Sequence, residues 1–166
     1  GKPFVVDDGE LRYLYFNTRL MQSAMRLAEP DALALAYTRA MASFLLFQPA
    51  PTHIALIGLG GGSLLKFCHR RLPSARIIAI EIDPDVIALG DAFHLPPGPE
   101  PAIVQADGAE WLAASGQRFD ALLVDAFDAD GFAPALASRD FLECARRHLS
   151  NRGILVVNLA GEAERY

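Results

Sequence analysis

Ile54-Ala55-Leu56-Ile57-Gly58-Leu59-Gly60-Gly61-Gly62-Ser63 is the stretch from which the rest of this chain can be read. Its first four residues are apolar and uncharged, which predicts a strand buried on both faces. Four glycines in the next five positions predict a turn made for close backbone approach. Beyond it Leu64, Cys68 and Leu72 recur at helical spacing, and Leu65 and Phe67 widen the stripe. The unit is strand, glycine loop, helix. It places a helix N-terminus, with its unpaired N–H groups, at the carboxyl edge of a sheet, where nucleotide-like ligands bind.

Outward from this unit the chain alternates regularly. Strands are expected near 53–58, 76–82, 101–105, 119–125 and 153–159, and helices near 62–72, 84–93, 108–115 and 138–149. Such alternation with apolar strands predicts an α/β fold, a parallel sheet with helices on both faces joined by right-handed crossovers. Asp83-Pro84 and Asp107-Gly108 sit where helix caps and first turns belong. Gly153 is expected to close the helix before the last strand. Upstream, 4–16 reads as a β-hairpin turning at Asp7-Asp8-Gly9, and 17–29 as a connector containing Gln22-Ser23. A helix is expected from Pro30-Asp31 to about Phe47, apolar nearly all round and stopped by Pro49 and Pro51. Two parts result: 1–28, hairpin and connector, and 29–166, a Rossmann-like nucleoside-binding domain.

At 166 residues, 52% hydrophobic and 21% charged, the chain suits one folded domain. Fifteen basic against twenty acidic side chains, a net charge of -5, argue against double-stranded nucleic acid as a partner. Cys68 and Cys144 lack paired spacing and read as small buried residues in a reducing compartment. The four histidines are scattered, so no metal is expected. With no basic-then-apolar leader and no long apolar span, the expected setting is the cytoplasm, away from membranes.

The chemical content lies in the carboxylates at the strand ends. In a parallel sheet, Gly58–Gly62, Glu81, Asp107 and Asp125 all open on one edge. Glu81 follows Gly58 at nearly the spacing at which an acid accepts the two ribose hydroxyls of a nucleoside. Asp83 is better placed as a helix cap. Asp107 suits an exocyclic amine such as adenine's, or a cap on the helix from Gly108, and one carboxylate can do both. Asp125 and Asp128 flank a phenylalanine. Such acids orient an amine nucleophile and take its proton, or else brace the loop through Asx turns.

The series Ile57-Gly58-Leu59-Gly60-Gly61-Gly62, Glu81-Ile82-Asp83, Asp107-Gly108 and Asp125-Ala126-Phe127-Asp128-Ala129-Asp130-Gly131 resembles the spermidine synthase (polyamine aminopropyltransferase) family in order and spacing. Gln22 falls where that family has a Gln ending its N-terminal β-region. The resemblance implies the class I methyltransferase fold, with sheet order 3-2-1-4-5, and aminopropyl transfer from decarboxylated S-adenosylmethionine to a polyamine. It gives Glu81 the ribose, Asp107 the adenine amine, and Gly58, Gly60, Gly61 and Gly62 the sulfonium side. Asp125 would deprotonate the attacking amine and Asp128 hold its far end.

There are also departures. Gly61 stands where the family has an acid that holds the aminopropyl nitrogen, Tyr37 is followed by Thr38-Arg39, and the gate loop reads Ala129-Asp130-Gly131-Phe132. The chain ends at Tyr166, which implies a C-terminal truncation with the last strands missing. Two alternatives therefore stay open. One is an S-adenosylmethionine-dependent methyltransferase, for which Gly61 would leave room for a substrate carboxylate. The other is a catalytically silent nucleoside-binding module. A dehydrogenase fits less well, since Ser63 replaces the third glycine of its fingerprint. The aromatic hairpin makes a homodimer a candidate assembly.

Overall fold

His53–Ile57 forms the middle strand of a five-stranded parallel sheet, and its side chains serve two cores at once. Ile54 and Leu56 pack on one side with Leu64, Leu65 and Cys68, while Ala55 and Ile57 pack on the other with Leu112, Phe141 and Ala145. Successive strand residues point to opposite faces, so a strand covered on both must be apolar throughout. Each Ile or Leu buried there contributes about 1.5–3 kcal/mol.

The computed structural model describes residues 2–16, 21–128 and 131–159, with only the backbone for Asp128, Gly131 and Phe132. In chain order the elements are strands β1 (Phe4–Asp7), β2 (Leu11–Tyr15) and β3 (Met21–Arg26), then helix α1 (Ala36–Ala42). The alternating part follows as β4 (His53–Ile57), α2 (Ser63–Arg71), β5 (Arg76–Glu81), α3 (Pro84–Ala88), β6 (Ala102–Gln105), α4 (Gly108–Ala114) and β7 (Phe119–Val124). A short pair, β8 (Phe127–Asp128) and β9 (Gly131–Phe132), precedes α5 (Arg139–Arg147) and β10 (Leu149–Val157). The large sheet runs β10-β7-β4-β5-β6, which is the expected 3-2-1-4-5 order counted from β4. The expected caps are present: Asp83 accepts from the Asp85 N–H at 2.8 Å, and Asp107 from the Ala109 and Glu110 N–H groups at 2.9 and 3.0 Å.

Three expectations need correction. The stretch read as a connector contains β3, which pairs antiparallel with β2 and turns the hairpin into a three-stranded sheet. The helix read from Pro30 begins only at Ala36 and passes into a 3-10 turn, Ser43–Leu46, that leaves Leu46 81% and Phe47 70% exposed. Arg39 fixes this start by donating to the Leu33 and Ala34 carbonyls, both at 2.9 Å. Gly153 does not close a helix. α5 ends at His148, whose N–H reaches the Cys144 and Ala145 carbonyls, and Gly153 lies in a bulge of β10. A Cβ at Gly153 would come within 2.7 Å of the Phe119 carbonyl oxygen, so the residue is fixed by close approach of β7.

The N-terminal sheet leans on the α/β body through Leu14 and Met25, which pack with Val86 and Phe93. It thereby walls one side of the open sheet edge. Among the described residues no helix is long and apolar enough to cross a membrane.

Candidate active site

The carboxyl ends of β4, β5, β6 and β7 open into a cavity of about 220 Å³, closed on the far side by β3 and α1. The glycine turn forms its floor. Gly58 has φ of 95° and packs on the Asp125 backbone, where any side chain would collide with the Asp125 carbonyl. Its N–H bonds the Ile80 carbonyl and the Asp125 N–H bonds the Ile57 carbonyl, both at 2.8 Å, so the floor is tied to both neighbouring strands. Gly108 is likewise held by approach, against the Ile57 side chain.

Glu81, 8% exposed at the end of β5, accepts the Leu59 N–H on one oxygen and the Asp83 N–H on the other, each at 2.9 Å. A carboxylate offers about four acceptor positions, so both oxygens keep capacity for hydroxyl donors in the cavity. Asp107 uses only Oδ1 as helix cap, which leaves Oδ2 for an amine. Ile82 between them is 63% exposed and offers an apolar contact at the cavity wall.

Asp125 stands just past β7. Asn158 donates to its Oδ1 at 2.9 Å, and Asn158 is itself fixed by its N–H on the Val124 carbonyl at 2.9 Å. The Tyr37 hydroxyl lies within reach of both the Gln22 carbonyl, at 3.4 Å, and the Asp125 carboxylate. Burial raises the Asp125 carboxyl above the ordinary range, and the hydrogen bonds from Asn158 and Tyr37 pull it back. Burial and the neighbouring carboxylate push the Tyr37 hydroxyl upward, so it stays protonated and serves as a donor.

Gln22 and Ser23 both line the cavity, although neighbouring strand residues ordinarily face opposite ways. A bulge explains this: Leu14 pairs with Ser23 and Tyr15 with Met21, so Gln22 is the extra residue and is turned to the same side.

The structure thus gathers Gln22, Gly58, Gly60, Glu81, Asp107, Gly108 and Asp125 around one cavity. Gly61 and Gly62 lie behind the lining. A Cβ at Gly61 would come within 2.7 Å of Ser23 Oγ and 2.8 Å of Phe93 Cδ1, so those two neighbours hold the position to glycine. Gly62 adopts the left-handed conformation, with φ of 68°, as the N-cap of α2. The Asp128 side chain and the residues Ala129 and Asp130 of the gate loop lie outside the described part. Sequence reasoning missed Asn158 and the cavity roles of Ser23 and Tyr37. The only signal for Tyr37 was its place beside the altered Thr38-Arg39 pair. Among the described residues no three His, Cys, Asp or Glu side chains cluster as a metal site.

The spermine/spermidine synthase domain matches residues 34–161. The chain belongs to that family. Within it, the chain is 41% identical over 164 residues to the polyamine aminopropyltransferase of Chromobacterium violaceum, covering 98% of this chain and 63% of that protein. It therefore spans less than two thirds of this relative's length. In fold it is similar to a probable spermidine synthase from Corynebacterium glutamicum, with TM-score 0.78, 19% identity, and 93% of this chain and 59% of that one covered. It is also similar to human methyltransferase-like protein 13 in complex with SAH, with TM-score 0.69 and 25% identity over 79% of this chain and 68% of that one. Against the pattern that resemblance implied, this spermine/spermidine synthase family member keeps the strand-end acids and closes the Gly61 position with Ser23 and Phe93.

Proposed function

We propose that this chain is the nucleoside-binding and catalytic part of an aminopropyltransferase, taking the aminopropyl group from decarboxylated S-adenosylmethionine to an amine. The observation that carries the reading is the half-buried Asp125 facing the cavity between a donating amide and a donating hydroxyl, with Glu81 on the neighbouring side of the same cavity. Glu81 takes the ribose hydroxyls, Asp107 Oδ2 the adenine amine, and Ile82 the flat face of the base. The glycine floor lets the sulfonium approach the backbone. An amine arrives protonated and must lose that proton before it attacks. Asp125 takes the proton; the freed lone pair forms the new C–N bond as the C–S bond breaks, and that pair returns to sulfur to leave neutral methylthioadenosine. The acids suit both reactants, since sulfonium and ammonium each carry positive charge. Asp128 would hold the acceptor's far end.

Methyl transfer from S-adenosylmethionine is the second reading, favoured by the likeness to the methyltransferase with SAH and by the absence of an acid at Gly61. Calorimetry on the purified chain with S-adenosylmethionine, its decarboxylated form and methylthioadenosine, followed by product analysis with a polyamine, tests both. Propylamine-extended product supports the first reading and transfer of a methyl group the second. No binding of any of the three nucleosides refutes both.

A further inference from the structure

Resting on the nucleoside reading above, we propose that Ser23 is the specificity-determining residue for the end of the nucleoside's sulfonium substituent, and that as a neutral hydroxyl it admits carboxylated and decarboxylated substituents alike. Ser23 is 5% exposed, lines the cavity, and its Oγ makes no hydrogen bond among the described residues. No fully enclosed polar side-chain atom among the described residues lacks a partner, so this Oγ keeps surface open to the cavity, where a ligand can reach it. Ser23 pairs with Leu14 beside the β3 bulge, in which Gln22 is the extra residue, and its side chain stands over Gly60 and Gly61 of the glycine turn.

The charge around it is divided by element. The described carboxylates of the cavity, Glu81, Asp107 and Asp125, sit at the ends of β5, β6 and β7. The wall from β3 and α1 offers only neutral polar groups: Gln22, Ser23, Tyr37 and Thr38. Thr38 is already bonded to the Leu35 carbonyl at 2.7 Å and Tyr37 is shared between Gln22 and Asp125. Of the two groups that remain, Gln22 and Ser23, Ser23 is the one that stands over Gly60 and Gly61, so it is the group that a substituent meets when it crosses the glycine turn toward β3. A hydroxyl accepts from an ammonium and donates to a carboxylate with equal ease. No acid can be supplied from position 61, because its Cβ would strike Ser23 and the Phe93 ring.

Calorimetry on the parent, Ser23→Ala and Ser23→Asp with the three nucleosides tests this. Methylthioadenosine, which lacks the charged terminus, reports the nucleoside site alone. In the parent, S-adenosylmethionine and its decarboxylated form are expected to bind within about tenfold of each other. Ser23→Ala weakens both by roughly 3–10-fold, the loss of one hydrogen bond, and leaves methylthioadenosine unchanged. Ser23→Asp shifts the ratio at least about tenfold toward the decarboxylated form, through attraction of the ammonium and repulsion of the carboxylate. A parent preference for the decarboxylated form above about a hundredfold overturns the proposal, as does Ser23→Ala binding all three as the parent does. An unchanged ratio in a folded Ser23→Asp also overturns it; should that variant fail to fold, Ser23→Ala decides. Failure of these arms while methylthioadenosine still binds removes the proposal and spares the nucleoside reading. No binding of any nucleoside removes both.

Discussion

At Asp125 the needs of folding and of chemistry oppose each other within one side chain. Burial raises its carboxyl above the ordinary value of 3.8, so its contribution to stability is fully present below that value and is lost as pH rises through the raised one. At neutral pH the ionised form therefore burdens the fold. Asp125→Asn is expected to melt at a higher temperature than the parent at pH 7, with the difference closing below about pH 4, while nucleoside binding persists and turnover stops. Thermal melts at the two pH values, with a turnover assay, check this. Glu81→Ala works the other way. It orphans the Leu59 and Asp83 N–H groups, at about 1–3 kcal/mol, and removes the ribose acceptor, so calorimetry should show no nucleoside binding by a chain that still folds. Binding equal to the parent's would refute the ribose role. Both acids were legible in the sequence because a charge ending an apolar strand is costly without a purpose. Asn158 was not, since a polar residue after a strand looks like any loop residue until β10 is seen to lie beside β7.

At the scale of elements, the sequence showed the alternating half and hid the N-terminal one. β4 and β7 announce themselves by unbroken apolar runs, whereas β3 is Met-Gln-Ser-Ala-Met-Arg, poor in β-branched residues and held in its sheet by pairing with β2. Its bulge could not be read at all, because register depends on the partner strand. The opposite ends of the strands carry their own device. Asp120, near the start of β7, accepts the Thr52 N–H and hydroxyl at 2.8 and 2.9 Å, the His53 N–H at 3.2 Å, and the Ser150 hydroxyl at 2.7 Å, which ties β7 to β4 and β10. Burial pushes its carboxyl up, but these four donors outweigh it and bring the value from 3.8 down to about 2. A depressed value means stability present above 3.8 and lost as pH falls through about 2. Asp120→Asn should therefore cost on the order of 1–2 kcal/mol at pH 7, the lower figure allowing for solvent screening at this rim position. Urea unfolding should show that gap shrinking as pH drops through the window. A gap independent of pH would mean that shape, not charge, holds the strands.

The molecule as a whole is joined at Lys66. This lysine of α2 is 1% exposed, and its Nζ donates to the Phe93 carbonyl at 2.7 Å and to Met25 Sδ at 3.0 Å, so one side chain links the α/β body to the N-terminal sheet that walls the cavity. Burial pushes its value from 10.5 down to about 8, against a weak upward pull from Asp31. For a lysine lowered in this way, the stabilising contribution is present above 10.5 and lost as pH falls through about 8, so near neutrality the fold carries a buried charge. Full release amounts to about 3 kcal/mol, of which about 1 kcal/mol is recovered by pH 9. Cys68, two residues further along α2, opposes this at higher pH. Burial raises its thiol from 9.0 to about 12, so its contribution is fully present below 9.0 and lost above it. The two together give a plateau: the melting temperature should climb from about pH 7.5 to about pH 9, hold nearly level to about pH 10.5 while the two slopes cancel, and then decline. Lys66→Met keeps an apolar stem of similar length and removes the charge, so its profile should lack the climb and keep the decline. A parent profile that is flat or falling from pH 7.5, or a Lys66→Met profile that still climbs, would show that the junction holds its proton and that the N-terminal sheet is attached by packing of Leu14, Met25, Val86 and Phe93 alone.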